Sequence, residues 1–200
     1  MSKEKFNILE STCVPLSLEN IDTDQIIPAR FLSATSRDGF GDNLFRDWRY
    51  TKTGEKNGEF VLNNPEFSGK VLVAGKNFGS GSSREHAVWA IYDYGFRAVI
   101  SSFFADIFRN NSLNVGLLPI VIPEELLKKL LDLIQKDPST KVKIDLENQS
   151  FTIPATGDTV RFEINPYKKE CMLKGLDDID FLLGMKELIT GYETNKRITK

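Results

Sequence analysis

Downstream of Lys70 the hydrophobic positions follow two patterns, one after the other. In the first, short apolar runs alternate with amphipathic stretches. Val71-Leu72-Val73-Ala74 predicts a strand over 71–76 buried on both faces, and Glu85 to Tyr94 predicts a helix closed by Gly95. A strand over 97–102, a short helix over 105–112 and an apolar strand over 117–122 are expected next. Pro123 and the acidic pair Glu124-Glu125 open a helix over 124–136, with Lys128, Lys129 and Lys136 towards its end. Strands separated by helices imply a parallel sheet with right-handed crossovers.

The second pattern begins after Pro138. Lys141 to Leu146 and Val160 to Ile164 alternate strictly, with Phe151-Thr152-Ile153 between them, which predicts short antiparallel strands. A last helix is expected from Leu176 to Tyr192, with Ile179, Leu182, Leu183, Leu188 and Ile189 in the core. The first third reads as irregular, with a short helix beginning at Arg30-Phe31-Leu32. The expected fold is α/β: a mostly parallel sheet with flanking helices and additional short antiparallel strands. It forms one domain over residues 1–200, with a loop-rich insertion over 30–69.

Composition narrows the class. A net charge of −2 makes no electrostatic case for nucleic acid or an anionic membrane as partner. No apolar run approaches the ~20 residues that span a bilayer. The opening residues Met1 to Phe6 lack an apolar signal core, so a cytoplasmic protein is expected. Cys13 and Cys171 are far apart and His86 is the only histidine, a poor set for a soft-metal site. No metal or cofactor is therefore expected on this chain.

The chemistry concentrates in one string, Asn77-Phe78-Gly79-Ser80-Gly81-Ser82-Ser83-Arg84-Glu85-His86-Ala87, at a predicted strand-to-helix turn. Free N–H groups and the helix dipole favour an anion there, and Arg84 adds a two-pronged grip on a carboxylate or phosphate. The string lacks the lysine of a Walker loop and the third glycine of a dinucleotide fingerprint. It reads as a carboxylate site in which Ser80, Gly81 and Ser83 line the turn and a serine can act as base. His86 is open to a catalytic role or to holding the turn by a hydrogen bond. Upstream, Asp22, Thr23 and Asp24 form a polar cluster, with the two acids open to turn-forming or functional roles. The stretch Gly39 to Tyr50 pairs glycines with aromatics and arginines. It is either a mobile loop contacting ligand or partner, or a surface loop with Phe45 and Trp48 packed on the body.

The Asn77–Ala87 string resembles the signature of the swivelling domain of aconitase-type iron–sulfur dehydratases. Ser102-Phe103-Phe104-Ala105-Asp106-Ile107-Phe108, Asn111 and Gly116-Leu117-Leu118-Pro119 match that family at its next two elements. Asn20-Ile21-Asp22-Thr23-Asp24-Gln25-Ile26-Ile27-Pro28 is similar to the signature of the version made as a separate small subunit. Gly39 to Tyr50 and Cys171 to Asp177 are similar to the isopropylmalate dehydratase branch. The likeness runs from Asn20 to about Tyr192.

The resemblance implies a general base at Ser82, a substrate carboxylate bound by Arg84, and assistance from Ser83 and the N–H groups of the turn. It implies a large partner subunit that holds a [4Fe-4S] cluster through three cysteines of its own. It also implies a small dicarboxylate hydroxy acid as the substrate class. Single-chain relatives carry a further arginine where this chain has Val14-Pro15-Leu16-Ser17, so a third carboxylate would lack a partner. An apolar arm suits that end better, with Leu44, Phe45, Arg46 and Arg49 as candidates to shape it. Isopropylmalate is the expected substrate. Homoaconitate or citramalate-type acids, and a non-catalytic carboxylate sensor, are the alternatives.

Overall fold

A computed structural model describes residues 4–33, 39–186, 190, 191 and 194. In chain order the elements are β1 (Ile8–Leu16), α1 (Thr23–Ile26), α2 (Arg46–Arg49), β2 (Val71–Ala74), α3 (Glu85–Asp93), β3 (Ala98–Ser101), α4 (Asp106–Val115), β4 (Leu118–Val121), α5 (Glu124–Lys136), β5 (Lys141–Asp145), β6 (Ser150–Ile153), β7 (Asp158–Arg161), α6 (Pro166–Lys174) and α7 (Asp178–Gly184). The strands form one seven-stranded sheet in the order β4-β3-β2-β1-β5-β6-β7.

β1 joins its two halves. Residues 13–16 pair in parallel with β2, from Cys13 opposite Val71 to Leu16 opposite Ala74, and β2, β3 and β4 continue in parallel. Residues 8–12 pair antiparallel with β5, from Ile8 opposite Asp145 to Thr12 opposite Lys141, and β6 and β7 continue antiparallel. Successive side chains of a strand point to opposite faces, so each parallel strand feeds two cores. Val14, Leu16, Leu72, Ala74 and Val99 pack with α3 and the 40–49 segment. Cys13, Val71, Val73, Ala98 and Ile100 pack under α5 with Leu127, Leu130 and Ile134.

Two parts differ from the sequence reading. The chain was expected to be irregular before Lys70, yet β1 is the longest strand and sits in the middle of the sheet. Its first half is partly exposed and its second half is buried on both faces, so no single period runs through it. At the C-terminal end, one helix from Leu176 to Tyr192 was expected; α7 over Asp178–Gly184 stands within that range, and α6, just before it, was not expected. Asn165 caps α6, its side chain accepting from the N–H groups of Tyr167 and Lys168, with Pro166 in the first turn. Gly175 ends α6 in a left-handed conformation, and Asp177 caps α7 in a capping box with Asp180. Ile179, Leu182 and Leu183 were expected in the core, but α7 turns them outward and all three are exposed. Leu188 and Ile189 lie outside the described residues. No described helix is long and apolar enough to cross a membrane.

Candidate active site

The turn between β2 and α3 is built where the ends of β1, β2 and β3 meet. Its glycines are there because no side chain fits. Gly79 has φ 78°, and a Cβ would lie 2.2 Å from Cγ of Phe108 on α4. Gly81 has φ 93°, and its Cβ would press on the Thr23 hydroxyl at 3.3 Å. Both residues therefore adopt conformations that other residues reach only with strain.

The segment before α1 fastens the turn. The Ile21 carbonyl accepts from the N–H of Gly79 at 2.8 Å and of Ser80 at 3.2 Å. The Thr23 N–H donates to the Ser80 carbonyl at 2.9 Å, and Thr23 Oγ1 donates to the Ser82 carbonyl at 3.1 Å. Asp22 caps α1, accepting from the Gln25 N–H at 2.8 Å, while Gln25 Oε1 accepts from the Asp22 N–H. Of the two readings open for Asp22, the structure shows the turn-forming one.

Asp24 does something else. Its carboxylate pairs with the Arg84 guanidinium across sixty residues of sequence. Arg84 stands at the N-cap of α3 with an extended backbone, and its side chain is only 18% exposed. Ser82 and Ser83 lie exposed just before it, and Ser80 is half-buried. A partly buried guanidinium, two exposed hydroxyls and the N-terminal end of a nine-residue helix thus occupy one surface. Such a surface can bind a carboxylate and stabilise a developing oxyanion.

The remaining candidates serve the frame. His86 packs between rings, 5.7 Å from the centroid of Phe40 and 4.5 Å from that of Trp89. The expected hydrogen bond from His86 to the turn is not found among the described residues. Leu44 and Phe45 are fully buried, which removes them from direct contact with a small molecule in this structure. Phe45 stacks on Trp48 at 5.5 Å and its N–H donates to the Ile26 carbonyl, so of the two readings of the 39–50 loop the packed one is seen. Arg49 is buried too, and its Nη1 donates to the carbonyls of Gly41, Asp42 and Leu44, each at 3.3 Å. Arg46 lies over the Tyr50 ring at 3.8 Å.

Apolar surface beside the turn comes from residues the sequence reading had not chosen. Phe103 is 51% and Ile107 49% exposed. Phe103 is carried alongside the turn because the Phe78 N–H donates to its carbonyl at 3.2 Å and the Ala105 N–H donates to that of Phe78. The signal was the doublet Phe103-Phe104: adjacent residues of an extended segment point opposite ways, and with Phe104 in the core Phe103 must face out.

The thiols do not make a cluster site. Cys13 is enclosed in β1, where burial pushes its thiol up to about 12, and Cys171 is buried on α6. Among the described residues no group of three or more His, Cys, Asp or Glu side chains is placed to hold a metal ion. An iron–sulfur cluster does not fit the residues present here.

Comparison with known proteins gives the family. Residues 3–125 match the aconitase C-terminal domain family. The chain belongs to that family. Within it, the similar relatives are proteins named 3-isopropylmalate dehydratase small subunit. One from Azobacteroides pseudotrichonymphae is 60% identical over 193 residues, covering 96% of this chain and 98% of the relative. One from Christiangramia forsetii is 56% identical over 194 residues, covering 97% and 95%. A crystal structure of 3-isopropylmalate dehydratase from Methanocaldococcus jannaschii superposes with a TM-score of 0.65 at 29% identity, covering 93% of this chain and 99% of that one. The aconitase-type turn is thus carried on a chain whose relatives match it from end to end.

Proposed function

We propose that this chain acts as the small subunit of a 3-isopropylmalate dehydratase, a hydro-lyase of leucine biosynthesis. It carries the base and the carboxylate clamp of an active site completed by a large subunit. The observation behind this reading is the surface that joins Ser82, Ser83, Arg84 and the start of α3, on a chain whose thiols are buried and apart. Moving a hydroxyl between adjacent carbons needs a proton removed beside a carboxylate, and it needs the hydroxide carried off. The cluster expected on the large subunit supplies the second function.

This chain supplies the first. Ser82 Oγ takes the proton from the substrate carbon and returns it to the neighbouring carbon on rehydration. The oxygen works as a base only where its ionised form is stabilised, and the N-terminal end of α3 with Arg84 beside it offers that. Arg84 binds a substrate carboxylate, with Asp24 holding the guanidinium in place for it. Ser83 and the N–H groups of the turn complete the grip. Val14 to Leu16 form the closely packed end of β1 and bring no cation to a third carboxylate, which favours a substrate with an apolar arm.

Anaerobic reconstitution with the large subunit, followed by an isomerisation assay over isopropylmalate, citramalate and homoaconitate, tests this. Isopropylmalate should turn over fastest. Preference for the tricarboxylate would move the assignment to a sister isomerase, and binding without turnover would favour a carboxylate sensor.

A further inference from the structure

Thr23 invites the reading of a substrate-contacting hydroxyl, because it sits between two acids in the polar cluster beside the turn. Its surroundings say otherwise. The residue is 3% exposed, and its hydroxyl faces the backbone of the turn rather than the surface that Ser82 and Arg84 share. Its N–H and its Oγ1 grip carbonyls two residues apart, those of Ser80 and Ser82, and so span Gly81. Gly81 has a left-handed backbone at φ 93°, and the Thr23 hydroxyl lies 3.3 Å from the position its Cβ would take. With the two N–H bonds to the Ile21 carbonyl, four hydrogen bonds tie residues 79–82 to residues 21–23. Thr23 supplies the last of them, and the only one that reaches Ser82.

We propose that Thr23 is a positioning residue for the proton transfer: its hydroxyl fixes the Ser82 carbonyl, and through it the direction of Ser82 Oγ. The inference rests on Ser82 being the base. The carbonyl carbon and Cβ of Ser82 are both bonded to its Cα, so a hydrogen bond that pins the carbonyl restrains the backbone there, and a backbone released from it carries Cβ and Oγ away from the substrate carbon. Proton transfer is sensitive to such displacement, and an error of about 1 Å costs on the order of a hundredfold in rate. The four-residue helix α1 thereby serves both partners of the site, Thr23 setting the base and Asp24 the clamp.

Three variants in the reconstituted two-subunit enzyme separate the hydroxyl from the rest of the side chain. Thr23→Val keeps the shape and loses the hydroxyl. Thr23→Ser keeps the hydroxyl and loses the methyl, and Thr23→Ala loses both. The expected result is a kcat lowered about tenfold or more in Thr23→Val and Thr23→Ala, with KM little changed and with Thr23→Ser close to the parent. If the valine variant fails to fold, the Ser and Ala variants still differ by the hydroxyl alone. On a Ser82→Ala background, Thr23→Val should lower the residual rate no further, because its effect passes through Ser82.

A valine variant as active as the parent overturns the proposal, as does equal impairment of Ser and Ala. A rise in KM with kcat unchanged would make Thr23 a substrate-binding residue and overturn it too. Full turnover in Ser82→Ala alone would remove Ser82 as base and take the proposal with it. A dead Ser82→Ala beside an unaffected Thr23→Val would sink the proposal only.

Discussion

In the parallel half of the sheet, β1, β2 and β3 end at the same edge, and the connections that leave them interlock. Ser101 Oγ donates to the Gly75 carbonyl at 2.7 Å, the Phe78 N–H to that of Phe103, and the Thr23 N–H to that of Ser80. In the antiparallel half, β5, β6 and β7 reverse each into the next, and each of these turns carries hydrogen bonds between its own neighbouring residues. Asp145 accepts from the Asn148 N–H, and the Gly157 N–H donates to the Ile153 carbonyl. Parallel strands force long connections over one edge and bring residues from distant parts of the chain together there. Antiparallel turns leave nothing to converge. Every candidate site residue lies in the first half, and β5, β6 and β7 serve to extend the core that Cys13, Val73 and Ile100 begin.

The largest contrast should be in turnover. Ser82→Ala should lower kcat of the reconstituted enzyme by about 10²–10⁴-fold, the range for loss of a positioned base. Thr152→Val, which breaks the exposed hydroxyl pair with Thr159 in the antiparallel half, should leave it unchanged. Similar losses in both variants would end the functional division between the halves.

A second contrast uses one substitution in two places. Gly79 and Gly157 have similar left-handed backbones, at φ 78° and φ 74°. A Cβ at Gly79 would overlap Phe108, whereas at Gly157, between β6 and β7, nothing lies within 4 Å. Gly157→Ala should cost about 1 kcal/mol from backbone strain alone, and Gly79→Ala about 3 kcal/mol once the clash is added. Urea unfolding of the two variants measures the gap, and equal costs would show that the site turn is less tightly enclosed than its contacts imply.

The halves also differed in how they could be read. The strands from β2 to β6 were legible because each keeps one burial pattern: continuous apolar runs where both faces are covered, strict alternation as in β5. The strand expected over Val160 to Ile164 is β7, which starts at Asp158 and ends at Arg161. β1 was not, since it crosses from one regime to the other at Cys13, in the middle of its nine residues. The Ser82–Arg84 string was legible because its residue types sit together in sequence. The Arg84–Asp24 pair and the Thr23 grip on Ser82 join residues about sixty positions apart, and only the folded edge brings them together. Local polar signals were mixed. Asp22 is a cap by its spacing to Gln25, and Asn165 followed by Pro166, a capping residue before proline at the first helical position, would have announced α6.

That cap provides a smaller test on the antiparallel side. Asn165→Ala removes the side-chain acceptor for two N–H groups of α6 and should cost about 1 kcal/mol. The loss should appear in the urea midpoint, with kcat and KM of the reconstituted enzyme untouched. A change in KM would mean that α6 communicates with the site.

The smallest effect is electrostatic and belongs to the β5–β6 turn. The Asp145 carboxylate accepts from the Asn148 N–H at 2.9 Å and from Asn148 Nδ2 at 2.8 Å. These bonds favour the charged form and hold the carboxyl below its ordinary range. Because the folded pKa lies below the unfolded one, the stability it contributes is complete above about pH 4 and fades as pH falls through the lowered value. The urea midpoint of the parent should therefore exceed that of Asp145→Asn by a constant margin from about pH 7 to about pH 5, and the margin should shrink below about pH 4. The site half should play no part in this, since both hydrogen bonds to the carboxylate come from Asn148 in the same turn. A margin that stays fixed into acid would show that the shape of the Asp145 side chain matters there and its charge does not.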